Sequence, residues 1–393
     1  MKIIVADDDA SQRLYMSTVL GKLGHVPICV EDGAAALVEL ESSDAALLIC
    51  DINMPLMDGL ELARSVRQRD FGRYVYVLII TGRDEPGDYV SGFDAGADDF
   101  MPKPVDLALL AVRVKAAMRL IAYDRELLAK NKKLAIAGDR IERDLAAAAQ
   151  AQRQLLPAAR VDLAGCTITS YFRASHHVSG DMFGHFALPR ERLGFYAADV
   201  CGHGVRAALQ SVALGHLITP EYFGDLGIDE TRQGEICLDR LVTSLDRRFA
   251  PSQVDDSYFT LLVGAFDRQS DRLWYCQAGY PSPLLMRADG STEWIGDGGM
   301  PVALMPNAKF QGSSVPFVRG DRLVIHSDAI TEAASPCGDP FGAERMIAVM
   351  ADHRKGDAGL ACDALLREVA AWTASAELAD DLSLIIIDRS LFP

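Results

Sequence analysis

Apolar residues in the first hundred positions fall in short, β-rich runs: Ile3-Ile4-Val5-Ala6, Leu47-Leu48-Ile49-Cys50 and residues 75–80. Stretches with helical spacing, such as residues 11–23 and 60–69, separate them, which is the βα repeat of a parallel sheet. Residues 106–157 then read as nearly continuous helix, rich in Ala, Leu, Arg, Glu, Gln and Lys, with Gly138 as the weak point and Pro157 as the stop. Beyond residue 160 β-like runs return at wider intervals, at residues 193–198, 322–325 and 382–387. The pattern predicts an α/β unit, a helical connector and a second β-rich domain.

Polar residues close each of the first runs. Asp7-Asp8-Asp9 follows the first, Asp51 the second and Thr81 the third, and Phe100-Met101-Pro102 leads into Lys103-Pro104. Parallel sheets bind ligands at the carboxyl ends of their strands, so these ends converge on one crevice. Three carboxylates there could hold an octahedral Mg²⁺ and leave Asp51 able to attack phosphorus. Lys103 would supply a positive charge for the phosphoryl oxygens.

An Asp-Asp pair after a strand is by itself an ordinary solvated loop. The ordered set is more specific: Asp7-Asp8, Asp51 followed by Met54-Pro55-x-Met57-Asp58-Gly59, Thr81-Gly82, and Lys103-Pro104. It resembles the CheY-like receiver domains of two-component response regulators over residues 1–120. The resemblance implies a doubly wound (βα)5 fold with Asp51 as phosphoacceptor, phosphorylated by a histidine kinase or a phosphotransfer protein. It implies Mg²⁺ held by Asp8, Asp51 and the Asn53 carbonyl with Asp7 assisting, Thr81 bonding the phosphoryl group, Phe100 at an aromatic switch position, and a cis Lys103-Pro104 bond.

A second set of aspartates borders the later runs: Ser179-Gly180-Asp181, Ala198-Asp199-Val200-Cys201-Gly202-His203-Gly204, His326-Ser327-Asp328-Ala329 and Asp380-Asp381-Leu382-Ser383. Oxygen ligands without a Cys/His cluster favour Mg²⁺ or Mn²⁺ over Zn²⁺. Two such ions about 4 Å apart can share a water and lower its pKa beside a phosphate ester. No cysteine is followed by arginine at the sixth position, so a cysteinyl-phosphate route has no candidate loop.

These four motifs, in this order, resemble the SpoIIE-like branch of the PPM metal-dependent serine/threonine phosphatases over residues 158–390. Gln154-Leu155-Leu156-Pro157, Gly204-x-x-Ala207-Ala208-Leu209, Tyr258-Phe259-Thr260-Leu261, Gly320-Asp321-x-Leu323 and Phe341-Gly342 add to the likeness. It implies a β-sandwich flanked by helices, with two or more Mn²⁺ or Mg²⁺ ions. Asp199 would bridge the ions, Asp181, Asp328 and Asp380 would complete the site with the Val200 carbonyl, and Asp380 is preferred to Asp381 because the family's ligand comes first. By the same resemblance the substrate is a phosphorylated regulatory protein, such as an anti-sigma-factor antagonist of the STAS type. Two positions depart from the family pattern, Tyr280 for a usual histidine and Ala329 for a usual glycine, and neither is an implied ligand. An adaptor that binds a partner without catalysis is the rival reading, but such a chain should have lost metal aspartates.

Neighbouring residues read more plainly. His203 is expected as a turn residue beside Asp199, and His176-His177 lacks a third ligand at zinc spacing, so the pair is placed on a strand or loop near the site. Cys201, without a basic neighbour in its motif, reads as a small apolar residue.

In the connector, residues 121–157, Leu120, Leu127, Leu134, Ile141, Ala148 and Leu155 recur every seven positions, the coiled-coil period. The companion row, Asp124, Asn131, Gly138, Leu145 and Gln152, is mostly polar. The favoured expectation is a weak parallel pair that makes a homodimer and carries a signal, against a single helix packed on its own domains.

The chain has 393 residues, 49% of them hydrophobic, enough for two cores. A net charge of −16 without a Lys/Arg cluster argues against nucleic acid and an anionic membrane surface as partners. No apolar run reaches the length of a membrane span, and three aspartates follow the apolar start, so a signal peptide is not expected. Eight cysteines without regular spacing fit reduced, mostly buried thiols of a cytoplasmic protein.

Overall fold

The computed structural model describes residues 1–82, 90, 92–202, 204–229, 235–250, 257–374 and 380–390. The chain divides into two compact units, Met1–Arg140 and Ile141–Pro393.

In the first unit, β1 (Lys2–Ala6), β2 (Val26–Val30), β3 (Leu47–Asp51), β4 (Tyr76–Thr81) and β5 (Asp99–Pro102) form a wholly parallel sheet in the order β2-β1-β3-β4-β5. This is the doubly wound order with its switch point between β1 and β3. Helices α2 (Gly33–Ser42) and α3 (Gly59–Gln68) pack Leu37, Leu40, Leu62 and Val66 against Ile4, Leu48 and Ile79. Helix α1 (Ala10–Lys22) and the first turns of α4 (Leu107–Arg153) close a second core through Met16, Leu20, Leu110 and Val114 with Ile3, Val5, Ile49 and Leu78. Both faces of β3 are thereby covered, which is why its sequence is an unbroken apolar run up to Asp51.

Capping separates the aspartates by role. Asp9 accepts from the Ser11 amide at 2.7 Å and caps α1, Asp32 caps α2 through the Ala35 amide at 2.7 Å, and Asp58 forms a capping box with Glu61 on α3. Of the Asp7-Asp8-Asp9 run, only the first two thus remain uncommitted to a helix end. The Lys103-Pro104 bond is cis.

The second unit is a sandwich of two antiparallel sheets. One sheet runs β16 (Gly312–Pro316), β13 (Arg272–Ala278), β12 (Phe259–Asp267), β9 (Arg192–Val200), β8 (Asp181–Leu188). The other runs β15 (Thr292–Trp294), β14 (Leu284–Met286), β17 (Arg322–His326), β18 (Leu382–Arg389), β7 (Cys166–Arg173), β6 (Arg160–Leu163), and β10 (Ile228–Asp229) pairs β11 (Glu235–Ile236) separately. Phe195, Leu262 and Phe266 of the first sheet meet Ile168, Ile325 and Ile385 of the second in the central core. Helices α5 (Val205–Leu217), α6 (Pro220–Gly227) and α7 (Leu238–Arg248) cover the outer face of the first sheet through Leu214, Phe223 and Leu241. After the short α8 (Asp328–Thr331), α9 (Gly342–Asp352) and α10 (Ala358–Thr373) cover the second through Met346, Met350 and Leu365.

Helix α4 is unbroken from Leu107 to Arg153, Gly138 included. Its heptad row splits by environment. Leu120, Leu127, Leu134 and Ile141 are 54–69% exposed in the single chain, while Leu155, just past the helix, packs against the core beneath the first sheet of the sandwich. Gln152, expected in a polar coil row, is instead buried within its own unit. Among the described residues no helix is long and apolar enough to cross a membrane.

Gly59 shows how tightly the Asp51 loop is folded. Its amide donates to the Ile52 carbonyl at 2.9 Å, and a β-carbon there would lie 2.3 Å from the Asp51 carbonyl oxygen. No side chain can yield to relieve that contact, because the obstructing atom is backbone. Gly59→Ala is therefore expected to destabilise the first unit by about 3 kcal/mol, the upper end for overpacking, read by calorimetry as a lowered transition for that unit with the other unchanged.

Candidate metal centres

In the first unit, the ends of β1 and β3 bring Asp7, Asp8 and Asp51 together. One ligand oxygen from each lies within 4.8 Å of the others, and among the described residues this is the only such trio of potential metal-binding side chains. Asp7 and Asp51 are buried and Asp8 is exposed, so the cluster opens to solvent on one side. Lys103 reaches in from the end of β5, with Nζ 3.2 Å from Asp7 and 3.1 Å from Asp51. Burial raises the Asp51 pKa above the usual carboxylate range, and Lys103 partly offsets it. Burial alone would lower the Lys103 ammonium, but its bonds to Asp51 and Asp7 outweigh that and raise it.

Thr81 is buried at the end of β4, where its carbonyl accepts from the Lys103 amide at 2.7 Å. Phe100 is buried, with its ring 4.9 Å from Phe93 in an edge-on contact. Asn53 lies exposed in the loop after β3.

In the second unit the register of the sheets does the assembling. Asp181 opens β8 and stands directly opposite Asp199 near the end of β9, and Thr260 of β12 flanks Asp199 on its other side. Like charges directly opposed across a sheet repel. Asp328 follows the end of β17, and Asp380-Asp381 precedes the start of its antiparallel neighbour β18, so both lie at one end of the second sheet. Burial, followed by the repulsion of Asp328, Asp380 and Asp381, pushes Asp199 up to about 7. Burial and Asp199 likewise hold Asp181 well above the usual carboxylate range, and burial and Asp380 raise Asp328.

Asp181 is 1% exposed, and its Oδ2 has no hydrogen-bond partner. A buried, orphaned carboxylate oxygen beside a second carboxylate matches what a cation would satisfy. Gly180 belongs to the same arrangement, since a β-carbon there would come within 2.9 Å of the Val200 carbonyl.

Asp380 and Asp381 have different duties. Asp381 accepts from the Ser175 amide at 2.7 Å and hydroxyl at 2.8 Å on one oxygen, and from the Gly180 amide at 2.8 Å on the other. It is spent on holding the loop before β8. Asp380 is exposed and accepts from the Asp381 amide at 2.7 Å.

The departures also find places. Tyr280 is buried at 1% exposure with its hydroxyl 3.2 Å from the Ser383 hydroxyl, and Ser383 in turn hydrogen-bonds Asp181. The tyrosine thus supports Asp181 through an intermediary. Ala329 is buried at the start of α8, against the core beneath α9 and α10. Histidines 176 and 177 sit exposed on the loop before Ser179, whereas His203 lies outside the described residues. Cys201 departs from its expected apolar role, being exposed and hydrogen-bonded to the Tyr258 hydroxyl, whose pKa this bond raises. Only four of the eight cysteines are buried.

Comparison with known proteins bears on both units. The model of the family described as Stage II sporulation protein E matches residues 189–390, and that of the response regulator receiver domain matches residues 3–115. The chain belongs to the SpoIIE family. Its SpoIIE match begins after β8, so Asp181 lies outside the matched stretch although the sheet carries it to Asp199. The SiaA-PP2C domain of Pseudomonas aeruginosa has the same fold, with a TM-score of 0.55 at 16% identity over 65% of this chain and 99% of that one. The receiver is 40% identical over 119 residues to transcriptional regulatory protein TctD of Salmonella typhimurium, and 38% identical over 119 residues to response regulator MprA of Mycobacterium avium. Each match covers 30% of this chain and about half the length of the relative, 52% and 51%. The SpoIIE-family chain therefore joins a receiver domain to a SpoIIE domain with the fold of a PP2C domain.

Sequence reasoning missed Ser383 as a support for Asp181, although the residue lies inside a quoted motif, and missed the loop-holding duty of Asp381. Removing the Tyr280 hydroxyl leaves a buried hydroxyl short of one partner, a loss of about 1 kcal/mol. Removing the Ser383 hydroxyl takes away a bond that favours the charged form of Asp181. Ser383→Ala should therefore weaken Mn²⁺ binding more than Tyr280→Phe, with both variants folded, in calorimetric titrations of the metal-free chain.

Proposed function

We propose that this chain is a response regulator whose phosphorylation at Asp51 controls a metal-dependent phosphoserine/phosphothreonine protein phosphatase. The supporting observation is that Asp181 stands opposite Asp199 across paired strands with its Oδ2 orphaned, while burial and the nearby charges of Asp328, Asp380 and Asp381 raise Asp199. Carboxylates are held at this electrostatic cost where a cation relieves it.

In this reading Asp199, with Asp181, Asp328 and Asp380, would hold the cations together with the Val200 carbonyl, which Gly180 keeps clear. Bound Mn²⁺ or Mg²⁺ ions would supply the charge that makes water a nucleophile at neutral pH. The carboxylates hold their places without a protein nucleophile, and Asp381 keeps the Ser175–Gly180 loop closed around them. The substrate class is a phosphorylated regulatory protein, with a STAS-type antagonist as the nearest candidate by family resemblance.

In the receiver, Asp7, Asp8, Asp51 and the Asn53 carbonyl would hold Mg²⁺. A histidine kinase or phosphotransfer protein would donate its phosphoryl group to the Asp51 carboxylate. Lys103, already bonded to Asp51, would follow the new charge, and Thr81 would bond the phosphoryl oxygen. The exposed heptad row of α4 would pair in parallel with that of a second copy in the cytoplasm, making a homodimer.

Hydrolysis of p-nitrophenyl phosphate or a phosphoserine protein with Mn²⁺ or Mg²⁺ tests the whole reading. Turnover should be lost by at least a thousandfold in Asp199→Asn, consistent with removal of a central metal ligand, and should respond to beryllofluoride only while Asp51 is intact. No turnover in any state would return the adaptor reading.

A pH effect follows from Asp199 with a definite sign. Its folded pKa of about 7 lies above the ordinary aspartate value of 3.8, so the metal-free folded state keeps a proton that the unfolded state releases. Stability is therefore lost as pH rises from about 4 to 7. Without metal, Asp199→Asn should be the more stable protein at pH 8, by on the order of 2 to 4 kcal/mol, with the gap closing towards pH 4. Thermal melts with and without a chelator read this difference, and added Mn²⁺ should raise the wild type alone.

A further inference from the structure

The end of helix α4 meets the loop before β8 through one buried side chain. Gln152 is 3% exposed. Its Nε2 donates to the Ser179 carbonyl at 2.6 Å and to the Ser211 hydroxyl at 2.8 Å, and its Oε1 accepts from the Ser179 amide at 3.1 Å. Both backbone groups of a single residue are thus held by one side-chain amide, much as a neighbouring strand would hold them.

Ser179 begins the turn that delivers Asp181. The Asp181 amide donates back to the Ser179 hydroxyl at 3.0 Å, the Gly180 amide donates to Asp381 at 2.8 Å, and the Gly180 carbonyl accepts from the Val200 amide at 3.3 Å. Ser211, on α5, stands 3.1 Å from the Ser179 carbonyl and 3.0 Å from that of Ala208. The Ser179 and Gly180 backbone groups named here are held from outside the turn and the Asp181 amide from within it, and Gln152 is the contribution from the long helix.

We propose that Gln152 is a positioning residue for Asp181: the last turn of α4 clamps the Ser179 backbone, so the placement of that turn sets where the Asp181 carboxylate stands. The inference rests on the reading of Asp181 as a cation ligand. Docking of the helix end needs no buried amide, because Leu155 and Leu156 already supply apolar contacts to the same core. A buried amide is costly unless fully bonded, and here its bonds are aimed at one backbone unit two residues from the orphaned carboxylate. Hydrogen bonds weaken steeply with misalignment, so a slide or rotation of this last turn would loosen the clamp before it undid the apolar packing. The same unbroken helix begins on the receiver core through Leu110 and Val114. Gln152 is therefore a point at which a displacement of the helix end would reach the turn that carries Asp181.

The full-length chain tests this with Gln152→Leu, Gln152→Met and Ser211→Ala beside Asp181→Asn as reference. Three readouts are taken: calorimetric Mn²⁺ binding, hydrogen exchange of the Ser179 and Asp181 amides, and turnover of p-nitrophenyl phosphate across Mn²⁺ concentrations. With circular dichroism unchanged, Gln152→Met should weaken Mn²⁺ binding about tenfold, the effect of one lost buried hydrogen-bond pair. The two amides should exchange at least tenfold faster, and turnover at saturating Mn²⁺ should stay within about threefold of wild type. Ser211→Ala, which removes one arm and keeps the other two bonds, should show a smaller loss in the same direction. A merely structural role would lower stability and leave Mn²⁺ affinity within twofold, and that result in folded Gln152→Met and Gln152→Leu overturns the inference. If Asp181→Asn itself leaves Mn²⁺ binding unchanged, the reading of Asp181 fails and the inference with it, whereas loss in Asp181→Asn without loss in the Gln152 variants defeats the clamp alone.

Discussion

Repulsion between carboxylates brought together at strand ends is the constraint around which both units are organised. Each fold places aspartates where backbone geometry makes them converge, and each must hold them there against their charge. In the receiver the opposition is met locally, by the Lys103 ammonium 3.2 and 3.1 Å from Asp7 and Asp51. In the second unit the same problem is left open: the Asp181–Asp199 pair is opposed across two hydrogen-bonded strands, and burial and other carboxylates dominate the shifts. What surrounds that pair is rigid. Asp381 and Gln152 bond the turn on which Asp181 sits, and Ser383, itself bonded to Tyr280, bonds the Asp181 side chain. Carboxylates so placed hold protons, as the raised Asp181 and Asp199 show, or a divalent cation that takes the protons' place.

The two units differ in how far they can be read from sequence, and the reason is topological. In the receiver Asp7 and Asp8 directly follow β1, Asp51 closes β3, Thr81 closes β4 and Lys103 follows β5, so a list of strand ends is nearly a list of the site. In the sandwich, β18 lies between β17 and β7, far from both in sequence, and β8 faces β9 through a hairpin whose register decides whether Asp181 meets Asp199. Motif order carried the chain to the right fold, but no pattern of apolar residues could place Asp381 on the Ser175–Gly180 loop. The cysteines show the same limit. Composition alone suggested buried thiols, yet Cys201 follows Val200 at the end of β9, where the chain leaves the sheet and meets solvent.

Heptad spacing was the least decisive signal, because a period identifies a face of a helix without saying what covers it. Leu155 and Gln152 sit in the two rows expected of a coil, and both are taken up by their own unit, one in apolar packing and the other in hydrogen bonds. From Leu120 to Ala148 the apolar row is exposed. The row therefore has one physical meaning in its middle and another at its end.

That division bears on how such a helix could act as a switch. At its start α4 is fixed by Leu110, Val114, Ala117 and Ile121 in the receiver core, with Asp124 accepting from the Tyr74 amide at 3.3 Å. At its end the Gln152 amide and, just past the helix, Leu155 and Leu156 hold it to the second unit's own core. Between these anchors, polar positions such as Asn131 and Gly138 alternate with the exposed leucines, so a proposed partner helix would gain little from any single register and lose little in changing it. A signal needs an element whose two arrangements differ by no more than a phosphoryl group can supply. Strong ends and an undemanding middle satisfy that condition better than a uniform coil would, because the ends report a displacement that the middle does not resist.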